Sequence, residues 1–191
     1  MAMPDLYHHL LSGDRVLLEV VEGLRWEPLT VMFVMLSAWW MKGVAFVFVG
    51  AVGDMRARRQ LPVPTLIAAV SVGIGSLIVA VLKESIDRPR PAHADPSIET
   101  AVGTPGSPSF PSGHTATAFA AAAVVGAFYP RLRWPLYALA ALVGMSRIYL
   151  GVHFALDVLA GAILGLSVGL GIVWAVRKAR PRLVARIGQR S

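Results

Sequence analysis

Leu61 to Leu82 is a run without a single charged side chain, and it stops abruptly at Lys83. As a helix rising about 1.5 Å per residue, such a run reaches across roughly 30 Å of hydrocarbon. Further apolar runs occupy about Leu29 to Gly53, the stretch after His114 to about Tyr129, Trp134 to Tyr149, and Phe154 to Val176. With 55% hydrophobic and 15% charged residues and a mean hydropathy of +0.62, the chain is too apolar for an ordinary soluble domain. No internal repeat or soluble second domain is visible. The expectation is therefore an all-α, polytopic transmembrane helix bundle of about five spans, forming one domain over residues 1–191.

The runs differ in character. The stretch from His114 to Tyr129 is alanine-rich, which favours close helix packing over lipid contact. In the last run Gly161, Gly165 and Gly169 recur every fourth residue, placing a small-residue stripe on one helix face. Upstream, Val16, Leu17, Val20, Val21 and Leu24 recur at helical spacing with Asp14, Arg15, Glu19 and Glu22 between them, as in an interfacial amphipathic helix. The first dozen residues carry no Lys or Arg, unlike the basic start of a cleaved signal peptide. Lys42 interrupts the first long run. Either it faces the bundle interior, or Trp39 and Trp40 mark an interface and the span is displaced; its role is then that of a snorkelling lysine beside belt tryptophans or of a functional cation near the site.

A formal charge of +7 raises nucleic acid as a partner, but the cations fall in short clusters between apolar runs instead of forming one basic face. No nucleic-acid partner is expected. Without cysteine, disulfides and thiolate metal sites are excluded. Arg56, Arg58 and Arg59, then Arg131 and Arg133, then Arg177, Lys178, Arg180, Arg182, Arg186 and Arg190 all lie in alternate loops or the tail, which makes that side cytoplasmic. Lys83, Arg90, His114, Arg147 and His153 then gather on the extracytoplasmic side of a cell membrane.

Those five residues belong to three short stretches. Lys83 and Arg90 are seven apart and share a face if the helix continues, although Pro89 and Pro91 favour a break; alone, they also suit lipid-headgroup anchors. Pro111-Ser112-Gly113-His114 places an N-cap candidate, Ser112, before an apolar helix whose start attracts anions, and simple capping would use the same residues. Ser146-Arg147 is followed by His153 and Asp157, which share a face on a helix. The carboxylate can then accept one imidazole N–H and leave the other nitrogen free as nucleophile or base, or the pair is merely an intramembrane hydrogen bond. Together the stretches supply a phosphate cradle, an oriented nucleophile and a second histidine. That inventory suits phosphoryl transfer through a covalent intermediate.

The series Lys-x6-Arg-Pro, Pro-Ser-Gly-His and Ser-Arg-x5-His-x3-Asp, in this order from Lys83 to Asp157, resembles the type-2 phosphatidic acid phosphatase family. Arg-Pro occurs twice, and the family spacing selects Arg90 over Arg88. The resemblance implies a helical membrane enzyme in which His153 attacks phosphorus to form a phosphohistidine, Asp157 orients it and His114 protonates the leaving oxygen. Lys83, Arg90, Ser112, Gly113 and Arg147 would hold the phosphate, with no metal and no cofactor. A two-metal hydrolase would want several carboxylates, whereas Asp157, Glu84 and Asp87 stand here beside three strong cations.

Other classes make distinct demands. A transporter also carries intramembrane charge but needs no nucleophile with an orienting acid. A zinc site from His114, His153 and Asp157 would be repelled by the clustered cations. Halide oxidation by a vanadate-binding relative uses similar motifs, but a scaffold set in lipid argues for a lipid phosphate substrate. Undecaprenyl diphosphate leads, with phosphatidate or phosphatidylglycerol phosphate behind it. The segment from Ala92 to Phe110, rich in Pro, Gly and Ser, reads as a flap over the phosphate site or as a passive linker.

Overall fold

The computed structural model describes residues 3–181, and its regular structure is all helix: α1 (Met3–Gly23), α2 (Glu27–Leu36), α3 (Val44–Arg56), α4 (Val63–Ile86), the single turn α5 (Pro91–Ala94), α6 (Gly113–Phe128), α7 (Arg133–Tyr149) and α8 (Ala155–Ala179). Among the described residues there is no strand. Arg182, Arg186 and Arg190 of the basic tail lie outside them.

α6 is the axis of the bundle. Ala118, Ala120, Ala121, Ala122, Val124 and Val125 are fully buried on all sides, as expected for a helix that is apolar all round. α4, α7, α8 and α3 pack around it. The tightest seam is with α8, where the glycine stripe presses against α6 backbone. A Cβ on Gly161 would stand 2.6 Å from the Ser112 carbonyl oxygen, and one on Gly165 would collide with that of Ala116. Small residues thus bring the two backbones together, as their spacing predicts.

α4 and α8 are built the opposite way. The stretches Val63–Ala94 and Ala155–Ala179 have hydropathies of 2.4 and 2.2 and are long and apolar enough to cross a membrane. Leu66, Val70, Ile74, Leu77 and Val81 form an exposed apolar stripe along α4, and Leu159, Ile163, Leu170 and Trp174 do the same on α8. In water such stripes would cost about 25 cal/mol per Å²; against acyl chains they cost nothing of the kind. α6 and α7 are shorter, about 24–26 Å at 1.5 Å per residue.

The first apolar run does not form one helix. α2 ends at Leu36, a 3-10 turn covers Trp39–Met41, and α3 begins only at Val44. Lys42 caps the turn and therefore never sits in mid-helix. Trp39 and Trp40 are exposed beside it, the disposition of interface tryptophans.

In α1 the aliphatic stripe faces outward, with Val16, Val20 and Leu24 exposed, which fits a helix lying on a lipid interface. The face turned to the protein carries Leu18 and, one turn earlier, Asp14, both buried.

Candidate active site

The end of α4, the start of α6, the end of α7 and the start of α8 meet at one end of the bundle. α4 stops at Ile86 because Asp87 adopts a left-handed conformation (φ 46°), and Pro89 and Pro91 then forbid its resumption. Lys83 and Arg90 therefore do not share a helix face; the chain turns between them, and both grip the loop that follows. Lys83 Nζ donates to the Pro108 carbonyl, while Arg90 donates from Nε to the Ser107 carbonyl (2.7 Å) and from a terminal nitrogen to Ser107 Oγ (3.1 Å). The C-terminal part of the 92–110 loop is thus a wall of the site.

His153 precedes α8 instead of lying on it. α7 ends at Tyr149, and Gly151 (φ 74°) reverses the chain at a point where a Cβ would meet the Glu99 carbonyl at 2.8 Å. The Arg147 carbonyl then accepts from the backbone N–H groups of both Val152 and His153 (3.2 Å each), fixing the histidine one residue before the helix N-cap, Phe154. Asp157, at the third helical position, folds back: its Oδ2 accepts the Phe154 N–H (2.9 Å) and the Ser109 hydroxyl and lies 3.3 Å from His153 Nδ1. The i, i+4 pairing holds, through a capped turn and not through a shared helix face.

On the other side of the ring, His153 Nε2 lies 3.3 Å from an Arg90 terminal nitrogen. Guanidinium can only donate, so Nε2 carries the lone pair and Nδ1 carries the proton directed at Asp157. Burial holds the imidazole below its usual range, to about 4, and the charges of Arg90 and Arg147 push the same way against the Asp157 hydrogen bond. At neutral pH the ring is uncharged and oriented, as a nucleophile requires.

Ser112 is the N-cap of α6, yet its side chain makes no capping bond to the helix. Its hydroxyl instead accepts from Thr115 Oγ1 (3.0 Å), and its backbone N–H binds the Asp157 carbonyl (2.9 Å), tying the starts of α6 and α8 together. Gly113 leaves room for Val79 and for the Lys42 stem, whose Cε would be 3.6 Å from a Cβ there. Lys42 therefore reaches the start of α6. His114 follows in the first turn. Its Nε2 and the Nε of Arg147 are buried with no hydrogen-bond partner in the protein, while Arg147 also donates to the Ser37 hydroxyl. A buried donor such as the Arg147 Nε–H is costly when left this way unless a ligand answers it, and an oxyanion does so.

The eight candidate site residues read from the sequence, Lys83, Arg90, Ser112, Gly113, His114, Arg147, His153 and Asp157, gather at this end of the bundle. Five others escaped that reading: Ser37, Ser107, Ser109, Arg88 and Asp14. Arg88 donates to Asp157 Oδ1 at 2.6 Å and to Asp14 at 2.8 Å. The serines carry no spacing signal, since they enter from loops and a helix end. Asp14 had one: it stands a turn before Leu18 on the face of α1 opposite the aliphatic stripe.

Among the described residues no group of three His, Asp or Glu side chains converges as a metal-binding set. Residues 64–181 match the PAP2 superfamily, and that stretch contains all three motifs. The chain belongs to the PAP2 superfamily. It is a membrane-associated lipid phosphatase by class. Among PAP2 relatives, decaprenylphosphoryl-5-phosphoribose phosphatase of Mycobacterium tuberculosis is 37% identical over 133 residues, 70% of each chain. Undecaprenyl-diphosphatase BcrC of Bacillus subtilis is 25% identical over 168 residues, 88% of this chain and 77% of that one. The crystal structure of a transmembrane PAP2-type phosphatidylglycerolphosphate phosphatase from Bacillus subtilis superposes with a TM-score of 0.76 at 29% identity, covering 89% of this chain and 87% of that one.

Proposed function

We propose that this PAP2 protein hydrolyses a polyprenyl diphosphate, with undecaprenyl diphosphate the leading substrate, through a phosphohistidine on His153. The carrying observation is the oriented, neutral His153: Nδ1 directed at Asp157 and Nε2 turned toward the cations. Nε2 attacks phosphorus, and the P–O bond to the leaving group breaks as His114, protonated for this step, gives its proton to the departing oxygen. Water then attacks the phosphohistidine, His114 takes back a proton, the P–N bond breaks, and phosphate and neutral His153 are regenerated. Lys83, Arg90, Arg147 and the backbone at Ser112 and Gly113 balance the charge that builds on the transferring oxygens, so the scheme calls for no metal or cofactor.

Several features support the substrate. The exposed stripe of α4 runs up to Lys83, so a lipid can keep its chain in the bilayer and present only its head. Three cations, with Lys42 beside them, suit a diphosphate. The names of two relatives specify prenyl chains, decaprenyl and undecaprenyl. A second reading, phosphatidylglycerol phosphate or phosphatidate, is favoured by the structural likeness to the Bacillus phosphatase. We also place five crossings, with the α2–α3 pair as the first, and a site open to the extracytoplasmic side.

Purified protein in micelles should release phosphate faster from a prenyl diphosphate than from phosphatidate or phosphatidylglycerol phosphate, in the presence of chelator. A clear preference for either glycerolipid would move the assignment to the second reading. Protein quenched in alkaline denaturant, where the acid-labile P–N bond survives, should carry phosphate that is lost in His153→Ala but still forms in His114→Ala with an activated aryl ester. Phosphate trapped on His153→Ala would overturn the mechanism. In intact cells, cysteine placed at Ser97 should react with an impermeant thiol reagent and cysteine at Gln60 should not; the reverse pattern would invert the sidedness.

A further inference from the structure

The carboxylate behind the nucleophile is itself held from behind. Asp157 Oδ2 serves His153, Phe154 N–H and Ser109, while Oδ1, fully buried with the rest of the residue, has Arg88 as its partner at 2.6 Å. The guanidinium is fixed on two further sides. Its carbon lies 4.1 Å from the centroid of the Phe154 ring, and its second terminal nitrogen meets Asp14 Oδ2 at 2.8 Å. Asp14, 5% exposed, then uses Oδ1 to accept the backbone N–H of Leu156 at 3.1 Å, one of the donors that the first turn of α8 cannot satisfy internally. Asp14 and Asp157 thus both bind the start of α8, and Arg88 bridges them.

We infer that Arg88 and Asp14 are positioning residues for the nucleophile, extending the His153–Asp157 pair into a four-residue chain anchored on α1. The inference rests on the proposed role of His153. Arg88 occupies the carboxylate oxygen opposite the imidazole, so it fixes the rotation of Asp157 and keeps it from turning Oδ1 to the ring or retaining a proton. Asp14 in turn keeps Arg88 from being a lone buried cation, which would draw charge out of the Asp157–His153 hydrogen bond just as the ring becomes positive during attack on phosphorus. Neither residue reaches the phosphate cradle on the Nε2 side. Their removal therefore acts on the chemical step and leaves lipid binding alone.

The test compares Arg88→Gln, Arg88→Lys and Asp14→Asn with Arg90→Gln and with Arg15→Gln, using phosphate release from lipid and single-turnover labelling of the protein by an activated aryl phosphate. Arg15 lies on the same helix, is half exposed and pairs with Asp95 of the 92–110 loop, so Arg15→Gln loosens α1 without touching the chain. Arg88→Gln should lower kcat and the labelling rate by about 10²-fold and Asp14→Asn by about 10-fold, with KM within about twofold. Arg88→Lys, which keeps the charge but one branch only, should fall between wild type and Arg88→Gln. Arg90→Gln should raise KM, and Arg15→Gln should change nothing. If Arg88→Gln does not fold, the Arg88→Lys and Asp14→Asn rates decide. Unchanged kcat in both, a KM effect like that of Arg90→Gln, or an equal loss in Arg15→Gln would overturn the inference. Labelling that persists in His153→Ala would instead sink the underlying mechanism.

Discussion

Two carboxylates are buried at opposite ends of α6, about 24 Å apart along a helix of that length. Asp54, 2% exposed, accepts from Tyr129 (2.6 Å), from the Thr65 hydroxyl and its backbone N–H (2.5 and 3.1 Å), and pairs with Arg59 at 3.1 Å. Asp157, fully buried, accepts from Ser109, Phe154 N–H and Arg88 and faces His153. Burial, an arginine partner and a comparable number of bonds are common to both. The difference lies one bond further out. At the Asp54 end the partners tie the α3–α4 corner to the end of α6, whereas the histidine on Asp157 has a second nitrogen, 3.3 Å from an Arg90 terminal nitrogen, at the end of the bundle where Nε2 of His114 has no protein partner. A buried ion pair alone says little about function; what its partners still have to offer says more.

Asparagine substitutions separate the two ends most sharply. Asp157→Asn should lower kcat by about 10³–10⁴-fold, because an amide can present the wrong group to Nδ1 and release the tautomer, with a much smaller change in melting temperature. Loss of less than tenfold would place Asp157 in the same structural class as Asp54. A smaller effect follows from acidity. Protonation of His153 removes the nucleophilic lone pair, and its folded value of about 4 lies below the ordinary imidazole range. With an activated aryl phosphate, whose leaving group needs no acid, the kcat/KM profile should therefore stay flat from neutral pH to about pH 5 and fall about tenfold per unit below about 4; an acid limb near 6.5 would mean that the ring is not shielded as described. The smallest effect on turnover is at the other end. Tyr129→Phe should cost about 1–3 kcal/mol of stability through the bond lost by Asp54, leaving kcat and KM of the folded enzyme within about twofold, as thermal unfolding and initial rates would show.

Much of this arrangement was legible in the sequence, for reasons that can be traced to particular residues. Helix type followed from apolar runs, and a close approach to one face of α8 from Gly161, Gly165 and Gly169, although not which helix would make it. The motif residues announced themselves because cations, a helix start and a histidine recur at fixed spacing between apolar segments. The break at residues 37–43 was visible only as an ambiguity around Lys42, since Trp39, Trp40 and an apolar continuation look alike whether the helix bends or persists. Arg88 was passed over because its partner Asp14 lies 74 residues away on a helix whose aliphatic face drew attention outward. Contacts made by single residues across such separations leave no periodicity to read.

The seam between α6 and α8 has a consequence for how such a protein changes. His114 rides on one backbone and Asp157 on the other, and the two are pressed together with glycine in place of side chains. The spacing of the two histidines is accordingly a property of main chain against main chain, insensitive to rotamer changes elsewhere. The outward apolar faces of α4 and α8 can exchange residues without retuning that distance. A scaffold divided in this way can acquire a new lipid while keeping its chemistry untouched.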